Sequence, residues 1–128
     1  MQNLTSTDMV IQVEQRPAGL EVTHVIGEVD IVAAPALQSC VDEQLQRVRS
    51  LVLDLGETRF FGAAGLSVLV HTSTAAQRNA VSWAVTGPHS VLRPLHVTGL
   101  DRSLPVFPDL EDAIASVGEQ CAAVPAQR

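Results

Sequence analysis

The stretch Leu51-Val52-Leu53-Asp54-Leu55 constrains the fold more than any other part of the chain. It is a short, nearly continuous apolar run, a length that suits a strand better than a helix. A strand without polar alternation needs cover on both faces, as inside a parallel sheet. Parallel neighbours in turn need crossover connections, usually helices. The flanking segments supply them. Upstream, Leu37, Cys40, Val41, Leu45 and Val48 recur at helical spacing, with Gln38, Asp42, Glu43 and Gln46 off that stripe. Pro35 suits the first turn of that helix, where its missing N–H costs nothing. Downstream, a second helical segment starts near Gly65, with Leu66, Leu69, Val70 and Ser73 on one stripe. Ser67, His71, Thr74 and Arg78 lie on its other side.

The remaining segments extend the same pattern. Val10 to Arg16 alternates loosely, Pro17-Ala18-Gly19 makes a turn, and Leu20, Val22, His24 and Ile26 share one face of the next run. Two such runs around a short break read as a β-hairpin. Ala80 to Val85 reads as a further strand ended by Gly87-Pro88. Ser90 is placed to cap a short helix holding Val91, Leu92 and Leu95, strained by Pro94 and closed by Gly99. Leu104 to Phe107 is a brief strand, and Asp109 caps a last helix with Leu110, Ala113, Ile114 and Val117 on its stripe. The order β-β-α-β-α-β-α-β-α predicts an α/β domain, a mixed and mostly parallel sheet of about five strands flanked by about four helices. Residues 10–117 form that domain, with residues 1–9 and 118–128 expected as tails.

Composition excludes several functions. The chain has 128 residues, enough for one domain with its own core. With 8 Lys plus Arg against 14 Asp plus Glu, its net charge of −6 speaks against a nucleic-acid scaffold. No run approaches the ~18 apolar residues of a membrane span. Met1-Gln2-Asn3-Leu4-Thr5-Ser6 lacks the basic flank and apolar stretch of a signal peptide, so a cytoplasmic location is expected. Cys40 falls on an apolar stripe and should pack as a small hydrophobe, while Cys121 falls in the expected tail. A glycine-rich phosphate loop, a nucleophile elbow and a paired-histidine zinc helix are all missing. His24, His71, His89 and His96 are scattered over different elements and read as ordinary histidines rather than a metal site. No cofactor and no enzymatic activity are expected.

The unusual local chemistry is Phe60-Phe61-Gly62-Ala63-Ala64-Gly65-Leu66, two bulky residues followed by four very small ones at the entry to a helix. Small residues there permit close approach of another backbone or a bulky group. Gly27-Glu28-Val29-Asp30 with Ala34-Pro35-Ala36-Leu37 resembles the Gly-Glu-Leu/Ile-Asp…Ala…Leu signature of STAS domains. Leu51 to Leu55 followed by Phe60 to Leu66 resembles that family's Leu-Val-Leu-Asp-Leu…Phe-Met-Asp-Ser-Ser-Gly-Leu segment. The resemblance runs over residues 10 to 117. As a stand-alone domain the chain is similar to bacterial anti-anti-sigma factors, which are anti-sigma factor antagonists. His96-Val97-Thr98-Gly99-Leu100-Asp101 beside Arg93-Pro94-Leu95 looks like the actinobacterial, mycobacterial-type branch.

This resemblance implies a cytosolic anti-sigma factor of the histidine-kinase ATPase fold as partner, and release of a sigma factor on binding. In the family the kinase phosphorylates the first Ser of Asp-Ser-Ser-Gly, which ends binding. Position by position, the Asp is Gly62, the acceptor Ser is Ala63 and the second Ser is Ala64, with only Gly65 retained. Ala63 has no hydroxyl, so the usual off-switch is chemically impossible. The implied binding surface comprises Glu28, Asp30, Gly62, Ala63, Ala64 and Gly65, with the outer helix face of Ser67, His71, Thr74 and Arg78. The acidic pair would meet a basic patch on the partner and steer association. Other readings are a small-ligand or nucleotide-binding STAS sensor and a STAS subunit of a lipid-transport complex. A monomer or weak dimer is expected.

Overall fold

The Leu51–Leu55 run forms the middle of the sheet. The computed structural model describes the backbone of residues 2–5 and 9–126 and the side chains of residues 9–118. Its strands are β1 (Gln2–Thr5), β2 (Met9–Arg16), β3 (Leu20–Val29), β4 (Ser50–Phe61), β5 (Ser82–Thr86) and β6 (Val106–Phe107). They lie side by side in chain order. β1, β2 and β3 pair antiparallel, and β3 through β6 pair parallel. The helices are α1 (Ala34–Leu45), α2 (Ala63–Arg78), α3 (His89–Val97) and α4 (Leu110–Ala126).

Side chains alternate across each strand, which divides the core in two. Ile11, Val13, Val25, Val29, Leu51, Leu53, Leu55 and Val85 face α1, α2 and α3, which bury Leu37, Val41, Leu45, Val68, Leu69, Val91 and Leu95 against them. Leu20, Val22, Val52 and Ala84 face the other way, under Ala113 and Val117 of α4. β4 is therefore covered on both sides. Asp109 caps α4 through its carboxylate, which accepts the Asp112 N–H at 2.8 Å.

Several elements depart from expectation. Within the expected N-terminal tail, Gln2–Thr5 adds a further strand paired antiparallel with Val10–Val13, and its sequence carries no apolar period to betray it. At the other end α4 continues to Ala126. Ser90 does not cap α3; the helix begins at His89 after Pro88, whose fixed φ suits that entry. β4 runs to Phe61 because its polar stretch stays paired with β3 through two register shifts. The buried stripe of α2 is Gly65, Val68, Leu69, Thr72, Ala75 and Ala76, rotated by about a residue from the expected one, so Val70 is 44% exposed.

Candidate functional site

Parallel pairing brings the C-terminal ends of β3 and β4 together, with Glu28 beside Phe60 and Val29 beside Phe61. The chain then turns into α2. The Gly62 N–H donates to the Val29 carbonyl at 3.1 Å, and the Gly62 carbonyl accepts from Gly65 and Leu66 at 3.0 and 3.1 Å. Gly62 is thus the N-cap, with backbone in place of a capping side chain. Ala63 points outward, Ala64 packs against the core and Gly65 is buried. Of the four small residues, Ala63 offers its methyl group most fully to a visitor.

The space left by the glycines is filled by the chain's own phenylalanines. A Cβ on Gly62 would lie 3.0 Å from Phe60 Cε2, and one on Gly65 would lie 2.8 Å from Phe61 Cε1. The Phe61 ring is buried and lets α2 sit close on the sheet; the Phe60 ring is 53% exposed beside Gly62. Ile31 and Val32, in the β3–α1 turn at the same end of the sheet, are 80% and 67% exposed. These three large apolar side chains are exposed at the same end of the sheet as the loop. An Ile-Val pair between Asp30 and the helix start at Pro35, where polar residues are usual, is the signal that could have found them.

The acidic pair is less free than its sequence suggests. Asp30 Oδ1 accepts the N–H groups of Val32 and Ala33 at 3.1 and 2.8 Å, so this carboxylate holds the β3–α1 turn. Glu28 lies 3.6 Å from the Arg59 guanidinium on β4. Ser67, His71, Thr74 and Arg78 share the exposed side of α2 as expected. His71 Nε2 is 3.1 Å from Asp42 Oδ1, which ties α2 to α1. Arg78 sits at the far end of the helix, about 22 Å along its axis from Ala63. The structure therefore gathers Glu28, Asp30, Gly62, Ala63 and Ser67 at one end and leaves Arg78 remote.

Elsewhere, Glu21 of β3 is buried beneath α1. Burial disfavours its charge, but hydrogen bonds from Arg47 and Gln44, with the Arg47 charge and Gln15, hold its carboxyl below the usual range. Thr23 Oγ1 donates to Gln44 Oε1 at 2.9 Å in the same network. Cys40 is buried and unpaired, and burial pushes its thiol up, as befits packing rather than reactivity. The Cys121 side chain lies outside the described residues. Among the described residues no cluster of His, Cys, Asp or Glu suits a metal ion, and no helix is long and apolar enough to cross a membrane.

Against this geometry, residues 11–113 match the STAS domain. The chain belongs to the STAS domain family. It is 32% identical over 100 residues to the anti-sigma-F factor antagonist RsfB of Mycobacterium tuberculosis, a match covering 77% of this chain and 82% of that protein. The crystal structure of an anti-sigma factor antagonist from Mycobacterium paratuberculosis superposes with a TM-score of 0.79 at 33% identity, covering 89% of this chain and 98% of the other. SpoIIAA in its unphosphorylated form superposes at 0.72 with 17% identity, covering 85% and 96%, a likeness of fold. Within this STAS domain, the exposed first residue of α2 is Ala63.

Proposed function

We propose that this protein is an anti-sigma factor antagonist that acts by binding. Its STAS domain would dock on a cytosolic anti-sigma factor of the histidine-kinase ATPase fold and release the sigma factor held there. The end of the sheet bearing Ile31, Val32, Phe60 and Ala63 would enter the interface. Burying an exposed side chain of that size contributes about 1.5–3 kcal/mol, which makes these residues the natural anchors of the interface. Glu28 at the rim would steer the encounter with a basic partner.

The observation that carries this reading is the exposed methyl group of Ala63 at the start of α2, flanked by those apolar side chains. No hydroxyl is available there for phosphate, so binding would not be ended by modification at this position. Control would fall to the amounts of the two proteins or to another signal. A pairwise binding screen against the anti-sigma factors of the source organism tests this, followed by sigma release and mass spectrometry after incubation with Mg-ATP. The expected result is one strong partner, sigma release, and no phosphate on residues 60–66. Failure of every anti-sigma factor to bind, with a ligand-dependent thermal shift instead, would turn the reading towards a small-molecule sensor.

A further inference from the structure

Away from the loop, on the sheet face opposite α1, α2 and α3, His24 of β3 lies between two carboxylates. Its Nδ1 is 2.8 Å from Asp54 Oδ2 on β4, and its Nε2 is 3.0 Å from Glu14 Oε1 on β2. A neutral imidazole has one N–H and one lone pair, whereas an ionised carboxylate only accepts. One of the two contacts would then set a lone pair against an anion. Only the imidazolium donates to both.

Asp54 does a second job. Its other oxygen, Oδ1, accepts the Gly56 N–H at 2.9 Å. Gly56 lies where β4 slips register against β3, between the pairs His24–Asp54 and Ile26–Glu57. Two residues on, Thr58 Oγ1 donates to the Val25 carbonyl at 2.8 Å and spans the same irregularity. One carboxylate thus joins the histidine to the bulge, and the bulged strand runs on to Phe61 and the turn into α2.

We propose that His24 is a proton-operated latch, which when protonated ties β2, β3 and β4 together at the β4 bulge and when neutral keeps Glu14 and releases Asp54. The described groups around it are Gln12 and Glu14 of β2, with Arg16 at 3.1 Å from Glu14, and Asp54 and Glu57 of β4. On the same face α4 packs apolar residues, Ala113 and Val117, against Leu20, Val22, Val52 and Ala84. Three carboxylates against one guanidinium favour the cation. A cleft of about 210 Å³ lined by Gln12, His24, Ile26, Asp54 and Glu57 gives protons a path from solvent.

The titration behaviour agrees with this geometry. Partial burial works against the charged ring, but hydrogen bonds to Glu14 and Asp54, together with their charges, outweigh it and hold His24 above the usual histidine value. The hydrogen bond from His24 also holds the Glu14 carboxyl below its usual range. A value raised in the folded state contributes fully below about pH 6.5, and that contribution fades as pH rises through the folded value. The latch closes on acidification.

The test is an NMR titration of the His24 ring, with protection of the Gly56 amide measured across the same pH range. Wild type should show a ring titrating above about pH 6.5, and Gly56 protection falling at least about tenfold as the proton leaves. His24→Gln should keep the fold and flatten that pH dependence. Glu14→Gln, which spares the Asp54 contact, should lower the ring's titration point. A ring that titrates at or below the ordinary value, or Gly56 protection unchanged across the titration, would overturn the proposal.

Discussion

The ring of Phe60 occupies the space that a side chain at position 62 would claim, with Cε2 only 3.0 Å from the site of a Gly62 Cβ. Gly62 and Phe60 are therefore a matched pair. The Phe60 ring is half in water and can swing, so Gly62→Asp should fold with a melting temperature near wild type. The displaced ring would leave its place in the proposed interface. Phe60→Ala makes the same point directly, with a stability change under about 1 kcal/mol and a loss of about tenfold to a hundredfold in partner affinity. Titration calorimetry against the partner checks both variants.

Charge at the rim separates in a second experiment. Asp30 holds two backbone N–H groups of the β3–α1 turn, so Asp30→Ala should cost about 0.5–2 kcal/mol of stability, as lost caps do. Any binding defect in that variant mixes turn and charge. Glu28 pairs with the exposed Arg59 and, among the described residues, holds no backbone N–H, so it gives the cleaner probe. Glu28→Lys should slow association, and the difference from wild type should shrink at high salt, with folding intact. Association rates that ignore both the substitution and the salt would remove Glu28 from the interface.

The parallel core was legible because its physics is local. The run Leu51–Leu55 is apolar at all but Asp54, and α1 repeats its apolar residues every three or four positions. What escaped the sequence leaves no periodic mark on the order of side chains. β1 is held by backbone pairing, which leaves no mark on side-chain order. The α2 stripe is hard to place because Val68, Leu69 and Val70 are all apolar, and packing under the sheet decides which two are buried. The small residues of the loop were readable, but not that Phe60 and Phe61 fill them. Nor does Asp30 announce its hydrogen bonds, since a capping carboxylate and a free one have the same letter.

Acid should weaken the domain through Glu21. Its carboxyl is held low in the folded state, so its contribution is present in full above about pH 4.3 and is lost as pH falls through the folded value. Denaturant midpoints should drop over that acid range in wild type and less steeply in Glu21→Gln. Arg47→Met would strand the buried carboxylate. With Arg47 partly in water, a cost of about 1–3 kcal/mol at pH 7 is expected.

One backbone position invites improvement. Ala80 follows α2 with a φ of 56°, and the N–H groups of Ala80 and Val81 bond back to the Gln77 and Ala76 carbonyls at 3.3 and 2.9 Å. This is a Schellman closure with alanine where glycine is usual. Ala80→Gly relieves the left-handed strain at some entropic cost, for a net gain of about 0.5–1 kcal/mol in chemical denaturation.

The decisive substitutions are at Ala63. It is exposed at the first position of α2, beside the positive end of the helix dipole, which favours negative charge by about 0.3–1 kcal/mol. Ala63→Glu should therefore fold with a melting temperature close to wild type. Binding should fail, because the complex would trap a carboxylate against a surface fitted to a methyl group. An unpaired buried charge in an interface costs about 2–5 kcal/mol, a loss of roughly thirtyfold to several-thousandfold in affinity. Ala63→Ser adds one small hydroxyl and should bind almost as wild type. With Mg-ATP and a kinase partner, that serine is also the variant in which phosphate should appear and binding should then decay. Equal affinity of Ala63→Glu and wild type would show that this end of the sheet is not where the partner sits.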